Sequence, residues 1–265
     1  GADEGQTTIR IRHAYGQYKS VLAGQTNSLF MDGSIFPNVI DYWGPCGMVF
    51  LRNPQIRWTP ISGETTFAVA IENPSTDVDT GRLSELDPTL GTTITGDSKY
   101  PDLSAQYRQE GGWGHVQVAG LLRRLGYNTP GGPNGSPKDH NTGWGVDLTS
   151  NVKVKGGCKF LLGAVYGEGI ANYMNDGGMD LAPTVNGTTV ESDAVPLLGL
   201  SAYFDHTWNS RFTSSVGYSR TQVENTNFQS PGAFRYGQYA SANLLYYPVK
   251  NVFYGAEYLW GSRKD

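Results

Sequence analysis

Residues 252–261 read VFYGAEYLWG, and this stretch decides the fold class. One set of alternate positions is apolar or aromatic: Val252, Tyr254, Ala256, Tyr258 and Trp260. The positions between them include Gly255 and Glu257. Since side chains alternate between the two faces of a β-strand, this stretch predicts a strand with one apolar face and one small or polar face. Its length of about ten residues is what a tilted strand needs to cross a bilayer.

Similar segments recur along the whole chain. They are rich in Val, Ile, Tyr, Phe and Thr, and Gly, Pro, Asn or Asp lie between them. We place strands at 7–18, 19–30, 48–59, 64–73, 101–110, 113–124, 143–154, 157–168, 195–206, 210–221, 234–247 and 250–262. Strands of soluble β-sandwiches are shorter, typically about five or six residues. The strand length therefore favours a membrane protein.

The connections between these segments alternate between short and long. Short turns are predicted at 18–19, 60–63, 111–112, 155–156, 207–209 and 248–249, and long loops at 31–47, 74–100, 125–142, 169–194 and 222–233. Outer-membrane barrels show this asymmetry, with short periplasmic turns and long extracellular loops. The pattern predicts an all-β fold, an antiparallel transmembrane β-barrel, integral to the outer membrane of a Gram-negative bacterium.

Composition agrees with this fold and excludes several functions. Glycine (35 residues) and tyrosine (16) are abundant, and charged residues make up 17% against about 25% in soluble domains. The net charge of -4 argues against a nucleic-acid partner. We find no phosphate loop, dinucleotide fingerprint or nucleophile elbow, so we expect no enzyme, cofactor or metal site. Cys46 and Cys158 are expected at opposite ends of a barrel about 25 Å tall, too far apart for a disulfide.

The direction of the strands predicts whether residues 1–265 contain all the strands of the barrel. If short turns are periplasmic, the strand at 7–18 runs towards the periplasm and the strand at 250–262 runs outward. Complete bacterial porins have an even strand number and both ends in the periplasm. We therefore expect residues 1–265 to form a single barrel domain that lacks an odd number of strands at each end.

Arginines occupy the polar face of several strands. With one glutamine, the candidate pore-lining residues from this alternation are Arg10, Arg12, Gln55, Arg57, Arg108 and Arg123. A charge on the lipid face costs about 2–4 kcal/mol at the bilayer midplane, so we expect these side chains in the lumen. Guanidinium groups bind carboxylates bidentately, which would favour anions and especially dicarboxylates. Alternatively, the arginines only pair with nearby acidic residues: Glu72, Asp147, Asp205 and Glu257.

The loop at 31–47, MDGSIFPNVIDYWGPCG, is unusually apolar for an exposed loop. We expect it to fold inward against the barrel wall and to form a constriction. The candidate constriction residues are Asp32, Asp41, Tyr42 and Trp43, with the two carboxylates facing luminal arginines. A loop tip that contacts lipid or a neighbouring subunit is the alternative.

A second surface prediction concerns the strand at 19–30. One of its faces is small or hydroxylated: Leu22, Gly24, Thr26, Ser28 and Phe30. Because small residues let backbones approach closely, this face predicts a contact between subunits, with His13 beside it.

The blocks RIRHAYGQYKSVLAGQTNSLFMD (10–32) and GPCGMVFLRNPQIRWT (44–59) resemble the corresponding blocks of the DcaP-like porins. These are trimeric outer-membrane channels associated with the uptake of dicarboxylic acids. The resemblance implies a barrel of about sixteen strands, a homotrimer, and a constriction formed by loop 31–47. It carries over four arginines: Arg10, Arg12, Arg52 and Arg57. Departures from the family's strings occur at Gln17, Asn27 and Cys46.

These observations favour a passive diffusion channel for small anionic solutes. We expect it to contact outer-membrane lipid and to assemble with two further copies of itself as a homotrimer. A barrel that acts as an adhesin or receptor through its long loops is a second hypothesis, which a nonconducting lumen would favour. A secreted soluble carbohydrate-binding β-protein is a third, which solubility without detergent would favour.

Overall fold

A computed structural model of the chain describes residues 11–128, 139–187 and 189–265. The described residues form fifteen strands: Ala14–Tyr18 (β1), Val21–Asn27 (β2), Arg52–Ile61 (β3), Thr65–Glu72 (β4), Thr95–Gly96 (β5), Asp102–Gly111 (β6), Gly114–Asn128 (β7), Asp139–Val154 (β8), Cys158–Glu168 (β9), Leu181–Asn186 (β10), Thr189–Ala194 (β11), Pro196–Thr207 (β12), Phe212–Val223 (β13), Tyr236–Val249 (β14) and Val252–Lys264 (β15). Short helical turns lie at Gly33–Ile35, Leu83–Glu85, Leu90–Thr93, Lys155–Gly157 and Ala171–Tyr173. In these ranges no helix has the length and apolarity needed to cross a membrane.

Twelve of the strands form one continuous antiparallel sheet. Its order is β1-β2-β3-β4-β6-β7-β8-β9-β12-β13-β14-β15, so strands that follow one another in this path are joined by hairpins. The two-residue strand β5 pairs with β7, and β10 pairs with β11 in a separate hairpin. All twelve strands expected from the sequence are present, which confirms the predicted all-β fold. Within the described residues, β1 and β15 do not pair with each other, so the sheet is not closed.

The alternation of short and long connections is also confirmed. Short connections lie at 19–20, 62–64, 112–113, 155–157, 208–211 and 250–251, and long ones at 28–51, 73–101, 169–195 and 224–235. Two of the short turns place a non-glycine residue in the left-handed region, Lys19 with φ 53° and Asn251 with φ 66°. The connection between β7 and β8, at 129–138, lies outside the described residues.

The two faces of the sheet have opposite chemistry. Along β7, Val116, Val118 and Leu122 are exposed, whereas the alternating residues Gln117 and Ala119 are buried. The same exposed apolar face continues across the sheet at Trp58, Leu103, Leu148, Leu162, Leu200, Val216 and Leu244. An exposed apolar surface of this extent is not expected on a soluble monomer, because such proteins rarely expose apolar patches beyond a few hundred Å². We call it the lipid face.

The opposite face is concave and encloses the apolar core. Loop residues between 28 and 41 hydrogen-bond to strands from β4 to β15, which requires the sheet to curve around them. The core contains wall residues such as Leu121 and Val165, and these pack against Phe30, Val49 and Tyr173 from the long loops. Side chains therefore fill part of the space that the sheet encloses.

The structure corrects the predicted subunit contact on the second strand. Leu22 lies opposite Arg57 and Gly24 opposite Gln55, so this face of β2 is concave and does not face lipid. His13 lies on the same side, with Nδ1 3.1 Å from Oγ1 of Thr26. The prediction was wrong because small and hydroxylated residues suit a luminal wall as well as a subunit contact.

Several boundaries also differ from the sequence-based expectation. The loop expected at 125–142 is shorter, since β7 continues to Asn128 and β8 begins at Asp139. The strand expected at 48–59 begins only at Arg52, because residues 48–50 bond with the loop after β9. The hairpin β10–β11 was not predicted, although Asn186 and Gly187 form a recognisable hairpin signal.

Candidate functional site

The concave face and the loop that covers it form the candidate functional site. We call residues 28–51 the inner loop; it contains the whole stretch 31–47 singled out in the sequence. Its first anchor lies on β4, where Oγ of Ser28 donates to Oε1 of Glu72 at 2.9 Å. Both side chains are buried. The loop therefore leaves β2 directly across the concave face.

Asp32 fixes the inner loop to β6, β7 and β8. Its Oδ2 lies 2.6 Å from Nε2 of His115 and accepts a hydrogen bond of 2.7 Å from Oγ1 of Thr149. Its Oδ1 accepts from the backbone N–H of Ser34 at 2.8 Å and lies 3.4 Å from a guanidinium nitrogen of Arg108. One carboxylate thus joins the loop to three strands.

The ionisation of Asp32 reflects these contacts. Burial alone would raise the pKa of this carboxyl, but the hydrogen bond and charge of His115, together with bonds from Thr149 and Ser34, outweigh burial. The net result is a lowered pKa. Asp32 is therefore held as a carboxylate at neutral pH.

The inner loop is also anchored on the opposite side of the concave face. Glu257 on β15 accepts backbone hydrogen bonds from Ile40 (2.9 Å) and Asp41 (2.7 Å). The hydroxyl of Tyr239 donates to Oδ2 of Asp41 at 3.1 Å. In the described structure Asp41 therefore meets a tyrosine from β14, whereas the sequence suggested an arginine.

Between these two anchors the loop bonds to the middle of the sheet through Asn38. Its backbone N–H donates to Asp205 on β12 at 3.4 Å, and its side-chain amide donates to Thr213 on β13 at 3.1 Å. Its carbonyl oxygen accepts from Asn243 on β14 at 2.9 Å. The loop is thus bonded to successive strands across the concave face.

Aromatic side chains form the surface of the inner loop. Tyr42 and Trp43 are about half exposed, at 45% and 53%. Tyr42 stacks on Phe36 with 6.1 Å between ring centroids, and Trp43 packs edge-on against Phe50 at 4.8 Å. The guanidinium of Arg52 lies 4.8 Å from the centre of the Phe50 ring. These rings present a rigid apolar surface to solvent.

A second loop also enters the concave space, which the sequence analysis did not foresee. The backbone N–H of Phe50 donates to the carbonyl of Tyr173 at 2.9 Å, and that of Asn175 donates to Met48 at 2.9 Å. Tyr173 is fully buried and packs edge-on against Phe30 at 5.9 Å. The apolar run around Ile170 and Tyr173 was the available signal, since a buried aromatic in a long loop implies inward packing.

Arg123 ties this second loop to the wall. Its side chain is fully buried, with Nε 3.0 Å from Asp102 and Nη1 2.8 Å from Asp180. It also donates to the carbonyl of Gly169 at 2.6 Å and to the carbonyl of Ser75. Burial raises the pKa of the Asp180 carboxyl, and Arg123 opposes that rise only in part. Arg123 lies on the concave face, but it is buried under this loop and paired with carboxylates instead of being free to line the pore.

Arg57 and Gln55 lie on the concave face of β3. Gln55 is buried and accepts a 3.0 Å hydrogen bond from Nε of Arg57, whose Nη2 donates to the carbonyl of Asn27 at 2.6 Å. Among the described residues, no carboxylate lies within ion-pair distance of the Arg57 guanidinium. Arg108 differs, because it pairs with Glu110 at 2.8 Å as well as with Asp32.

Two of the remaining predicted arginines, Arg12 and Arg52, lie together near the outer end of β3. Arg12 and Arg52 line one cleft with Trp43 and Asn175, so two predicted arginines and one candidate constriction residue share this cleft. Arg10 lies outside the described residues. In the part of the chain that the structure describes, no group of three or more His, Cys, Asp or Glu side chains could hold a metal ion.

The sequence model of the DcaP outer membrane protein family matches residues 1–265, the whole chain. The chain belongs to the DcaP outer membrane protein family. The crystal structure of the outer membrane channel DcaP of Acinetobacter baumannii superposes on this DcaP-family chain with a TM-score of 0.79 and 26% identity, covering 98% of this chain and 71% of that one. No curated protein matches the chain.

More distant structures share the fold of this DcaP-family chain. In vitro folded OmpT, an outer membrane protein of Vibrio cholerae, gives a TM-score of 0.55 at 10% identity, with 92% of this chain and 66% of that chain covered. Outer-membrane expressed OmpT of the same organism gives 0.52 at 11% identity, with the same coverage. The DcaP-family chain is therefore an integral outer-membrane protein with a porin fold, as the sequence predicted.

Proposed function

We propose that this porin is a passive diffusion channel that favours small anions, dicarboxylates in particular. The observation that carries the proposal is that Arg57 has hydrogen bonds but no ion pair among the described residues. Its guanidinium lies on the concave face and uses two donors to bind Gln55 and Asn27, while no carboxylate among the described residues pairs with it. Guanidinium groups have five N–H donors, so three are left for a solute. A positive charge with no ion-pair partner at a channel wall attracts anions, and the buried carboxylate of Glu72 acts on Arg57 only from beyond ion-pair distance.

The other arginines would support this preference in different ways. Arg12 and Arg52 border the cleft beside Trp43 and would raise the local concentration of anions at the outer end of the channel. Arg108 would act mainly through position, because Glu110 and Asp32 already neutralise its charge. Arg10 remains a candidate of the same kind. We assign Arg123 a structural role, since its side chain is fully buried.

The inner loop would form the constriction of this channel. The loop is anchored at Asp32 and Asp41, on opposite parts of the concave face. The half-exposed rings of Tyr42 and Trp43 form the surface of the loop that solvent reaches. Anchoring at both ends keeps the loop in place without new contacts from the solute. A fixed aperture of this kind suits a passive channel, and we propose a homotrimer as its assembly by analogy with the family's porins.

Solute uptake by proteoliposomes tests the proposal. The swelling rate in succinate is expected to exceed that in a neutral solute of equal size, and Arg57→Gln should remove most of the difference. Arg124→Gln is the matched control, because Arg124 is exposed and shares the lipid-face positions of β7. Equal rates for succinate and the neutral solute in the unmodified protein would refute the anion preference.

A further inference from the structure

Two lysines lie directly opposite each other where β8 ends and β9 begins. Lys153 of β8 pairs in register with Lys159 of β9, and Lys155 lies in the turn that joins the two strands. Directly opposed residues of an antiparallel pair have Cβ atoms about 4.5–5.5 Å apart, and like charges at such positions destabilise the sheet. The contact between these two like charges therefore does not stabilise the strand pair.

Both lysines lie on the concave face. Asn151, two residues before Lys153 on the same strand, donates from its side chain to the carbonyl of Ser34 in the inner loop at 3.0 Å. Lys159 lies 3.3 Å from Oδ2 of Asp205, whose other carboxylate oxygen accepts from the inner loop. The pair thus borders the aqueous side of the sheet, at the end that has the short turns.

The charges at this end are incompletely balanced. Asp205 pairs with Lys159, but Lys153 has no carboxylate within ion-pair distance among the described residues. At the same end, Glu110 on β6 pairs with Arg108 at 2.8 Å, and Glu64 lies beside Glu110 in the turn before β4. Asp205 is therefore the one carboxylate shown beside the pair, and with Lys155 in the adjoining turn the local potential around Lys153 and Lys159 is positive.

The register of the sheet gives the positions of the lysine pair and of the concave-face arginines relative to β7. Through β4 and β6, Arg57 is level with Leu121 of β7, and Arg108 is level with Gln117. Lys153 is level with Trp113, since its backbone N–H donates to that carbonyl. Each step is four residues along β7, about 14 Å. Projected along the register onto β7, the three positions thus follow one another at equal intervals towards the short-turn end.

We propose that Lys153 and Lys159 form a binding site for the carboxylate of a permeating solute at the periplasmic mouth of the channel. The site would take small dicarboxylates and similar dianions, and it deepens the proposed function on which it rests. Positive charge at the mouth speeds the arrival of anions from that side. Asp205 limits the strength of the site, so that the solute is released into the periplasm.

Single-channel recordings with succinate added to one side test the site. In the double variant Lys153→Gln/Lys159→Gln, the rate at which succinate from the periplasmic side interrupts the current should fall between about twofold and fivefold. The rate from the extracellular side should not change. Lys250→Gln, in the exposed turn before β15, removes a charge from the same end and is the matched control. Asp205→Asn should raise the periplasmic rate, because it frees Lys159.

The outcomes separate this site from the proposed function. If the periplasmic rate is unchanged in the double variant while Arg57→Gln still alters ion selectivity, the lysine site is refuted and the anion channel stands. If Arg57→Gln leaves selectivity unchanged, the proposed function itself fails. A fall of equal size in the Lys250→Gln control would attribute the effect to overall charge and would also overturn the site.

Discussion

Nε2 of His115 lies 2.6 Å from Oδ2 of Asp32, and both side chains are buried. His115 belongs to the wall strand β7, whereas Asp32 belongs to the inner loop. The contact therefore joins the loop to the wall about where the loop begins its course across the concave face. The position of the loop depends on groups that can be changed one at a time.

Replacing His115 with leucine should release this end of the inner loop. Removing a hydrogen-bond partner of a buried polar group costs about 1–3 kcal/mol and more for a charged one, and Asp32 would keep only its contacts with Thr149, Ser34 and Arg108. We expect single-channel currents that are larger and noisier than those of the unmodified protein. His206→Leu is the control, since His206 lies at the lipid-face position opposite Cys158. A quiet current of unchanged size in the His115 variant would contradict the role of this contact.

Acidification should release the same anchor only at low pH. Burial raises the pKa of Asp32, but its bonds to His115, Thr149 and Ser34 outweigh burial and leave that pKa lowered. A lowered folded-state pKa contributes stability above the unfolded value of about 3.9, and this stability is lost as pH falls through the folded value. Current noise should therefore stay constant between about pH 8 and pH 4 and rise only below. A rise already at about pH 6 would show that another group controls the loop.

Arg123→Met should loosen the long loops and leave the strands folded. The buried guanidinium joins the loop at 73–101, through Ser75, to the loop that begins at Gly169. Without it, Asp102 and Asp180 would keep hydrogen bonds from Tyr173, Asp77 and Asn172 but would lose their countercharge. We expect faster proteolysis within residues 73–101 in intact membranes. Arg124→Met, on the lipid face, should leave the proteolysis rate unchanged; equal rates for the two variants would contradict the clamp.

Gly47→Ala tests the close approach of the inner loop to the wall. Gly47 has φ 69°, and a Cβ there would overlap the backbone carbonyl of Arg220 on β13. A residue with a Cβ pays about 1 kcal/mol or more for the left-handed backbone conformation, and the overlap with Arg220 adds to this cost. The substitution should therefore displace the end of the loop. A lower thermal unfolding temperature and a changed conductance are expected. Gly112→Ala, in an open turn with nothing near its Cβ position, is the control.

Much of the fold could be predicted because strands and turns are local. Alternation in stretches such as 252–261 gives both the strands and their faces, and the rhythm of the connections gives the antiparallel order. The Asn186–Gly187 signal of the extra hairpin is equally local, because this dipeptide favours the tight turn of a two-residue hairpin loop. The hairpin could thus have been found from the sequence.

The candidate site was less predictable because its contacts join distant residues. Asp32 could be recognised as a loop carboxylate, but its partners His115 and Thr149 lie 83 and 117 residues further along the chain. Alternation places both Arg57 and Arg123 on the polar face, yet Arg123 becomes buried only because the loop after β9 folds over it. No local pattern distinguishes the two arginines.

The most direct test of the anion channel is the reversal potential of the purified protein in a planar bilayer with a tenfold gradient of potassium chloride. The proposal predicts a reversal potential of the sign for chloride preference, and Arg57→Gln should move it towards zero. Arg124→Gln should leave it where it is. A reversal potential of the sign for potassium preference in the unmodified protein, or one that Arg57→Gln does not move, would contradict the account.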